Sequence, residues 1–102
     1  VFFERKSMSK YEIRGRDLYD AHHRRIATAR GMAIYDGNDQ RVATTRGDDL
    51  YDTAERKMAT IRGLDIYDAD NAKVGSLSDV QESIKGAVAG IMHVAMWYCF
   101  VR

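Results

Sequence analysis

Small, β-branched and aromatic residues alternate with polar ones in short runs bounded by Gly, Asp and Asn, as in RIATAR (25–30) and AIYD (33–36). Such alternation over four to six residues predicts half-buried strands. The phrase around the second run, Arg30-Gly31-Met32-Ala33-Ile34-Tyr35-Asp36, returns with the same frame at 14–20, 46–52 and 62–68. The period is 16 residues. A third element keeps the same register: Ile26-Ala27-Thr28, Val42-Ala43-Thr44, Met58-Ala59-Thr60 and a weaker Val74-Gly75-Ser76. Two short strands and two short links use up the period, so no crossover helix fits and neighbouring strands are expected to be antiparallel.

Arg-Gly between the strands predicts a tight hairpin turn, with Gly supplying positive φ. The Asp that ends each phrase (Asp20, Asp36, Asp52, Asp68) predicts the start of a second connection, since its carboxylate bonds backbone two residues on. With a two-residue turn, Ala27 and Ile34 share a face, as do Ala43 with Leu50 and Ala59 with Ile66; Ile26, Thr28 and Tyr35 take the other. The expected architecture is therefore an all-β repeat. Four antiparallel hairpins over 11–76 close into a shallow barrel or flower, because closure removes sheet edges. From Ser78 the pattern changes. Ser78 with Gln81 reads as a capping box, and the run to Val101 is apolar beyond Ala87 except for His93. A helix apolar on all sides is buried, and this run falls short of the roughly 20 residues of a membrane span. Residues 78–101 are read as a central hydrophobic helix, with a short membrane anchor as the other reading. Gly86 and Gly90 either let backbones approach or weaken the helix. Residues 1–10 are an N-terminal extension of one domain over 11–102.

Composition narrows the function more than it names it. Sixteen basic against fifteen acidic residues leave +1, without the basic excess of a nucleic-acid binder. The lone Cys99 excludes an internal disulfide or Cys-cluster metal site and fits a reducing, cytoplasmic setting. The N-terminal VFFERKSMSK lacks the features of a signal peptide.

Candidate chemistry lies in the repeated positions. Arg14, Arg30, Arg46 and Arg62 would stand at equivalent hairpin tips, where guanidinium groups suit bidentate capture of phosphate or carboxylate. The plainer reading is edge charge, or ion pairing with Asp17, Asp49 and Asp65. Tyr19, Tyr35, Tyr51 and Tyr67 form a girdle that is either a partner or self-association surface or core packing. The four turn aspartates are a ring for a cation only if they converge; separate turn formers are the preferred reading. His22 and His23 are adjacent and unmatched in the other copies, so a loop substitution is preferred over a metal site. His93 is read as a core histidine and Cys99 as an inert thiol. Catalysis needs different groups around one centre, whereas these copies repeat the same few, so no enzyme, metal or cofactor is expected.

The four Arg-Gly-x-x-aliphatic-Tyr-Asp phrases, followed by a hydrophobic segment ending AMWYCFVR, resemble the small bacterial 4-fold β-flower proteins over residues 11–102. That resemblance implies hairpin petals around an axial C-terminal helix, as in the larger tubby-like and LURP-one-related barrels. It assigns no catalytic or binding residue. The first loop, DAHHRR, departs from the other copies in being more basic. By fold-level analogy with the tubby-like proteins, the resemblance implies a non-enzymatic module that meets anionic lipid or a membrane surface from the cytoplasmic side. The alternative is a self-assembling or protein–protein interaction module in a bacterial conflict or stress system.

Overall fold

In the computed structural model, which describes residues 10–88 and 90–102, ten short strands form one sheet. They are β1 (Tyr11–Arg14), β2 (Asp17–Tyr19), β3 (Arg25–Arg30), β4 (Ala33–Asp36), β5 (Arg41–Arg46), β6 (Asp49–Tyr51), β7 (Lys57–Arg62), β8 (Asp65–Asp68), β9 (Lys73–Ser76) and β10 (Ile84–Lys85). The order across the sheet is β10 followed by β1 to β9 in sequence. Except for Lys10, the N-terminal extension lies outside the described residues.

Each strand pair is fixed by local chemistry. Arg30 pairs with Ala33 as the last rung of its hairpin, so Gly31 and Met32 are the turn. Gly31 has φ +61° and Met32 does not have positive φ, the arrangement of a type II′ turn, whose first central residue is Gly. The expected Arg-Gly turn is thus shifted by one residue: Arg ends the strand and Gly opens the turn. At the other end, Asp36 donates its N–H to the Gln40 carbonyl and accepts from the Asp39 N–H, with Asp39 at φ +63°. A type I turn followed by one left-handed residue is a common three-residue hairpin loop. His23, Glu55 and Asn71 hold the same conformation at 16-residue intervals.

Beyond each of these loops a bulge resets the register. Ile34 pairs with Ala43, but Tyr35 pairs with Arg41, which leaves Val42 as the extra residue. Bulges turn side chains and increase twist. Ile26, expected on the Tyr face, occupies the equivalent place and packs against the core instead.

The other face assignments show in the burial. Leu18, Ile34, Leu50 and Ile66 are fully buried, with Ala27, Ala43 and Ala59 beside them. Burying one such aliphatic side chain contributes about 1.5–3 kcal/mol. They share one cluster with Val80, Ile84, Val94, Ala95, Met96 and Trp97 from the C-terminal quarter.

That quarter departs from a single helix over 78–101. Helix α1 (Leu77–Ser83) comes first, β10 follows, and α2 (Ile91–Met96) runs on into a π-helical segment, Trp97–Val101. The start lies earlier because Ser76 ends β9 and caps α1: its hydroxyl accepts the Asp79 N–H while Asp79 accepts the Ser76 N–H. The break falls where Ile84 and Lys85 take up parallel pairing with Tyr11 and Glu12. Gly86 (φ +86°) and Gly90 (φ +150°) then bend the chain. Each glycine costs a helix roughly 1 kcal/mol relative to Ala, whereas pairing with β1 satisfies backbone groups that an open edge leaves to solvent. No helix among the described residues is long and apolar enough to cross a membrane.

The sheet does not close into a barrel. Its end strands β9 and β10 are joined through α1 rather than hydrogen-bonded to one another. Gly75 on β9 explains why the last copy is weak: a Cβ there would lie 2.5 Å from Trp97 Cη2. The position that holds Ala in the inner strands gives way to the indole.

Candidate functional site

The sheet face turned away from the core carries the most regular polar arrangement. Arg14, Arg30, Arg46 and Arg62 lie over the rings of Tyr19, Tyr35, Tyr51 and Tyr67, with guanidinium carbons 4.8, 4.7, 4.8 and 4.9 Å from the ring centroids. The arginines are exposed and the tyrosines half-buried. The two residue sets singled out from the sequence are therefore one set of four stacks. An exposed cation–π contact contributes about 0.5–1 kcal/mol. The arginines are laid along the sheet rather than projected from tips.

Each guanidinium also has a side-chain partner. Arg30 reaches Asp39 at 2.9 Å, Arg46 reaches Glu55, and Arg62 donates to Asn71 Oδ1 at 2.7 Å. All three acceptors are the left-handed loop residues. In the first hairpin that place is His23, and Arg14 turns instead to Glu12 at 3.1 Å. The acids expected to pair with these arginines do other things. Asp17 and Asp49 accept the hydroxyl protons of Thr28 and Thr60 across the strand, and Asp65 pairs with Lys73 at 3.2 Å. At the equivalent place in the second hairpin stands Ala33, opposite Thr44. The buried Thr44 hydroxyl has no partner.

The bulges set a second cation across the strand pair from each of the four stacked tyrosines. Arg25, Arg41, Lys57 and Lys73 pair directly across from Tyr19, Tyr35, Tyr51 and Tyr67. Among the described residues Arg25, Arg41 and Lys57 make no ion pair, and all are exposed. This row was missed in the sequence reading, although its recurrence every 16 residues was legible; the bulge that brings it onto the Tyr face was not.

The turn aspartates act singly. One oxygen of each accepts two backbone N–H bonds: Asp20 from His22 and Arg24, Asp36 from Asn38 and Gln40, Asp52 from Ala54 and Arg56, Asp68 from Asp70 and Ala72. The backbone N–H of Arg24 holds the Asp20 carboxyl below its ordinary 3.8, helped by the His22 N–H and the Arg24 guanidinium. Arg56 and Ala54 do the same for Asp52. Among the described residues no cluster of His, Cys, Asp or Glu is arranged to hold a metal ion.

On the core side, a cavity of about 60 Å³ opens between the first hairpin and α2, lined by Ile13, Gly15, Arg16, Ala29, Met92, His93 and Met96. His93 Nδ1 accepts the Val88 N–H at 2.9 Å. Burial lowers its pKa from 6.5. Cys99 is half-buried, and burial raises its thiol to about 11 against a small opposing effect of Arg102. A thiol so protonated is a poor nucleophile.

Compared with protein-family models, curated proteins and solved structures, the chain matches none.

Proposed function

We propose that this domain is a non-enzymatic binding module that meets an anionic lipid surface with the face bearing the Arg–Tyr stacks. The observation that carries this reading is the second row of cations: Arg25, Arg41 and Lys57 are exposed and without an ion pair among the described residues. Of the stacked arginines beside them, Arg14, Arg30 and Arg46 are held by surface ion pairs worth about 0–1 kcal/mol each, weak enough for a phosphate to replace the carboxylate, and Arg62 by a hydrogen bond to Asn71. The tyrosine faces are already covered by guanidinium groups, which favours contact with phosphate oxygens over stacking on nucleobases. The repeated, like groups offer no division into nucleophile, base and orienter, in keeping with a binding role. Membership of the β-flower family, with its petals around an axial helix, belongs to the same proposal.

Co-sedimentation with phosphatidylcholine vesicles, with and without phosphatidylserine, tests the reading. Binding that requires the anionic lipid and weakens with salt is expected. Absence of binding at low salt would remove it. A second reading, a protein-interaction or self-assembling module, is favoured by exposed apolar side chains at two turns, Met32 and Leu64 at 65% and 74% exposure. Concentration-dependent light scattering without lipid is its signature.

A further inference from the structure

We propose that the loop joining β2 to β3 (residues 20–24), together with Arg25 at the start of β3, makes the strongest contact with the phosphate oxygens of the anionic surface, ahead of the other three loops and the cations that follow them. This rests on the membrane-surface reading above and assigns its contact to one asymmetric element. The four loops share one backbone: a carboxylate accepting two N–H bonds and a left-handed residue before the next strand. They differ in what that backbone presents. Asp39, Glu55 and Asn71 turn their oxygens to the stacked arginines, so the left-handed residue of each of those loops is engaged within the molecule. His23 brings no carboxylate to that place, and Arg14 bonds to Glu12.

Charge follows the same division. In the first loop Asp20 against Arg24 and Arg25 leaves +1 before either histidine is counted. Asp36 and Asp39 against Arg41 leave −1 in the second, the third balances, and Asp68 and Asp70 against Lys73 leave −1 in the fourth. His22, His23, Arg24 and Arg25 are all exposed. Arg24 bonds Asp20 through Nε with its side chain 73% exposed, which leaves its terminal N–H groups for an incoming oxygen; Arg56 holds Asp52 in the same way in the third loop, but there Glu55 adds a second carboxylate that the first loop lacks. Guanidinium groups bind phosphate in bidentate fashion, and each imidazole adds an N–H donor. A convex loop without enclosing walls suits a surface of many phosphates better than one captured ion.

The test is a loop exchange. The fourth loop closes with the same bonds, so H22D/H23N/R24A/R25K gives the first loop the fourth loop's residues on an unchanged backbone. Binding to mixed phosphatidylcholine–phosphatidylserine vesicles should fall about tenfold or more, as a change of loop charge from +1 to −1 near a membrane implies. The reciprocal exchange, D70H/N71H/A72R/K73R, should raise it. If wild type binds and the first exchange changes affinity less than about twofold, the loop assignment is wrong while the surface reading stands. If wild type fails to bind these vesicles at low salt, both are wrong. Displacement by inorganic phosphate beyond that by chloride of equal ionic strength would indicate a site for a free ion and overturn the lipid as occupant. Circular dichroism checks folding, and R24Q/R25Q, which leaves Asp20 and both histidines in place, should lose binding in the same direction.

Discussion

Ala33→Asp is expected to stabilise this protein, an unusual sign for placing a carboxylate on a half-buried strand position. Thr28 and Thr60 donate to Asp17 and Asp49 directly across the strand pair. Thr44 faces Ala33 in the same register, and its buried hydroxyl has no partner. An unsatisfied buried hydroxyl costs about 1–3 kcal/mol, and a hydrogen bond to a charged group contributes about 1.5–3 kcal/mol. Ordering the new side chain and partly desolvating its charge oppose this. The net expectation is a gain of about 1 kcal/mol, or ~4–8 °C in Tm for a domain near this size. Urea unfolding of wild type, Ala33→Asp, Thr44→Val and the double variant measures the coupling. Thr44→Val alone should also stabilise, because it removes the orphan group. In that background Ala33→Asp should give no gain. The reverse change in the third hairpin, Asp49→Ala, should cost about 0.5–1.5 kcal/mol by removing the charged acceptor of Thr60, whose hydroxyl keeps only its bond to the Asp48 carbonyl at 3.3 Å. An equal gain from Ala33→Asp with and without the Thr44 hydroxyl would refute the reasoning.

Gly75→Ala places a Cβ 2.5 Å from Trp97 Cη2 and 3.2 Å from Asp79 Oδ2, so a loss of about 1–3 kcal/mol with altered Trp97 fluorescence is expected; unchanged stability would show that the indole moves freely. His93 has a pKa below its ordinary 6.5, so the unfolded chain takes up its proton first. Its contribution is complete above the unfolded value and is lost as pH falls through 6.5 toward the folded value. His93→Gln should flatten the stability profile between about pH 7 and 5 while leaving the losses tied to Asp20 and Asp52, which begin near their unfolded 3.8. Cys99, with its thiol raised to about 11, should react with a disulfide reagent at neutral pH far more slowly in the native state than in denaturant; equal rates would place it in solvent.

Much of the strand structure was legible because it is written in local chemistry. The bounds of RIATAR and AIYD match β3 and β4, since alternation and a glycine turn suffice to set both. The aspartates read as separate turn formers from spacing alone, because an Asx contact spans two to four residues. Illegible were the contacts that join distant segments. The run after Ser78 reads as one helix by propensity, yet Ile84 and Lys85 pair with Tyr11 and Glu12, and no local signal announces a partner so far away in sequence. The arginines read as tips because their adjacency to Gly is visible, while their stacking on a tyrosine five residues later depends on both side chains sharing one face.

The sequence by itself therefore determined, to within a residue, where the chain turns, that Leu18, Ile34, Leu50 and Ile66 face inward with the repeated alanines, and that like groups recur every 16 residues. Only the tertiary structure decided which of those groups are spent on one another. The bulges set a second row of cations beside the tyrosines, Trp97 claimed the space at Gly75, and α1 joined the sheet's ends without closing it. The reason is physical: turns and faces follow from neighbours within a few residues, whereas a free or paired charge depends on which side chains packing brings within reach.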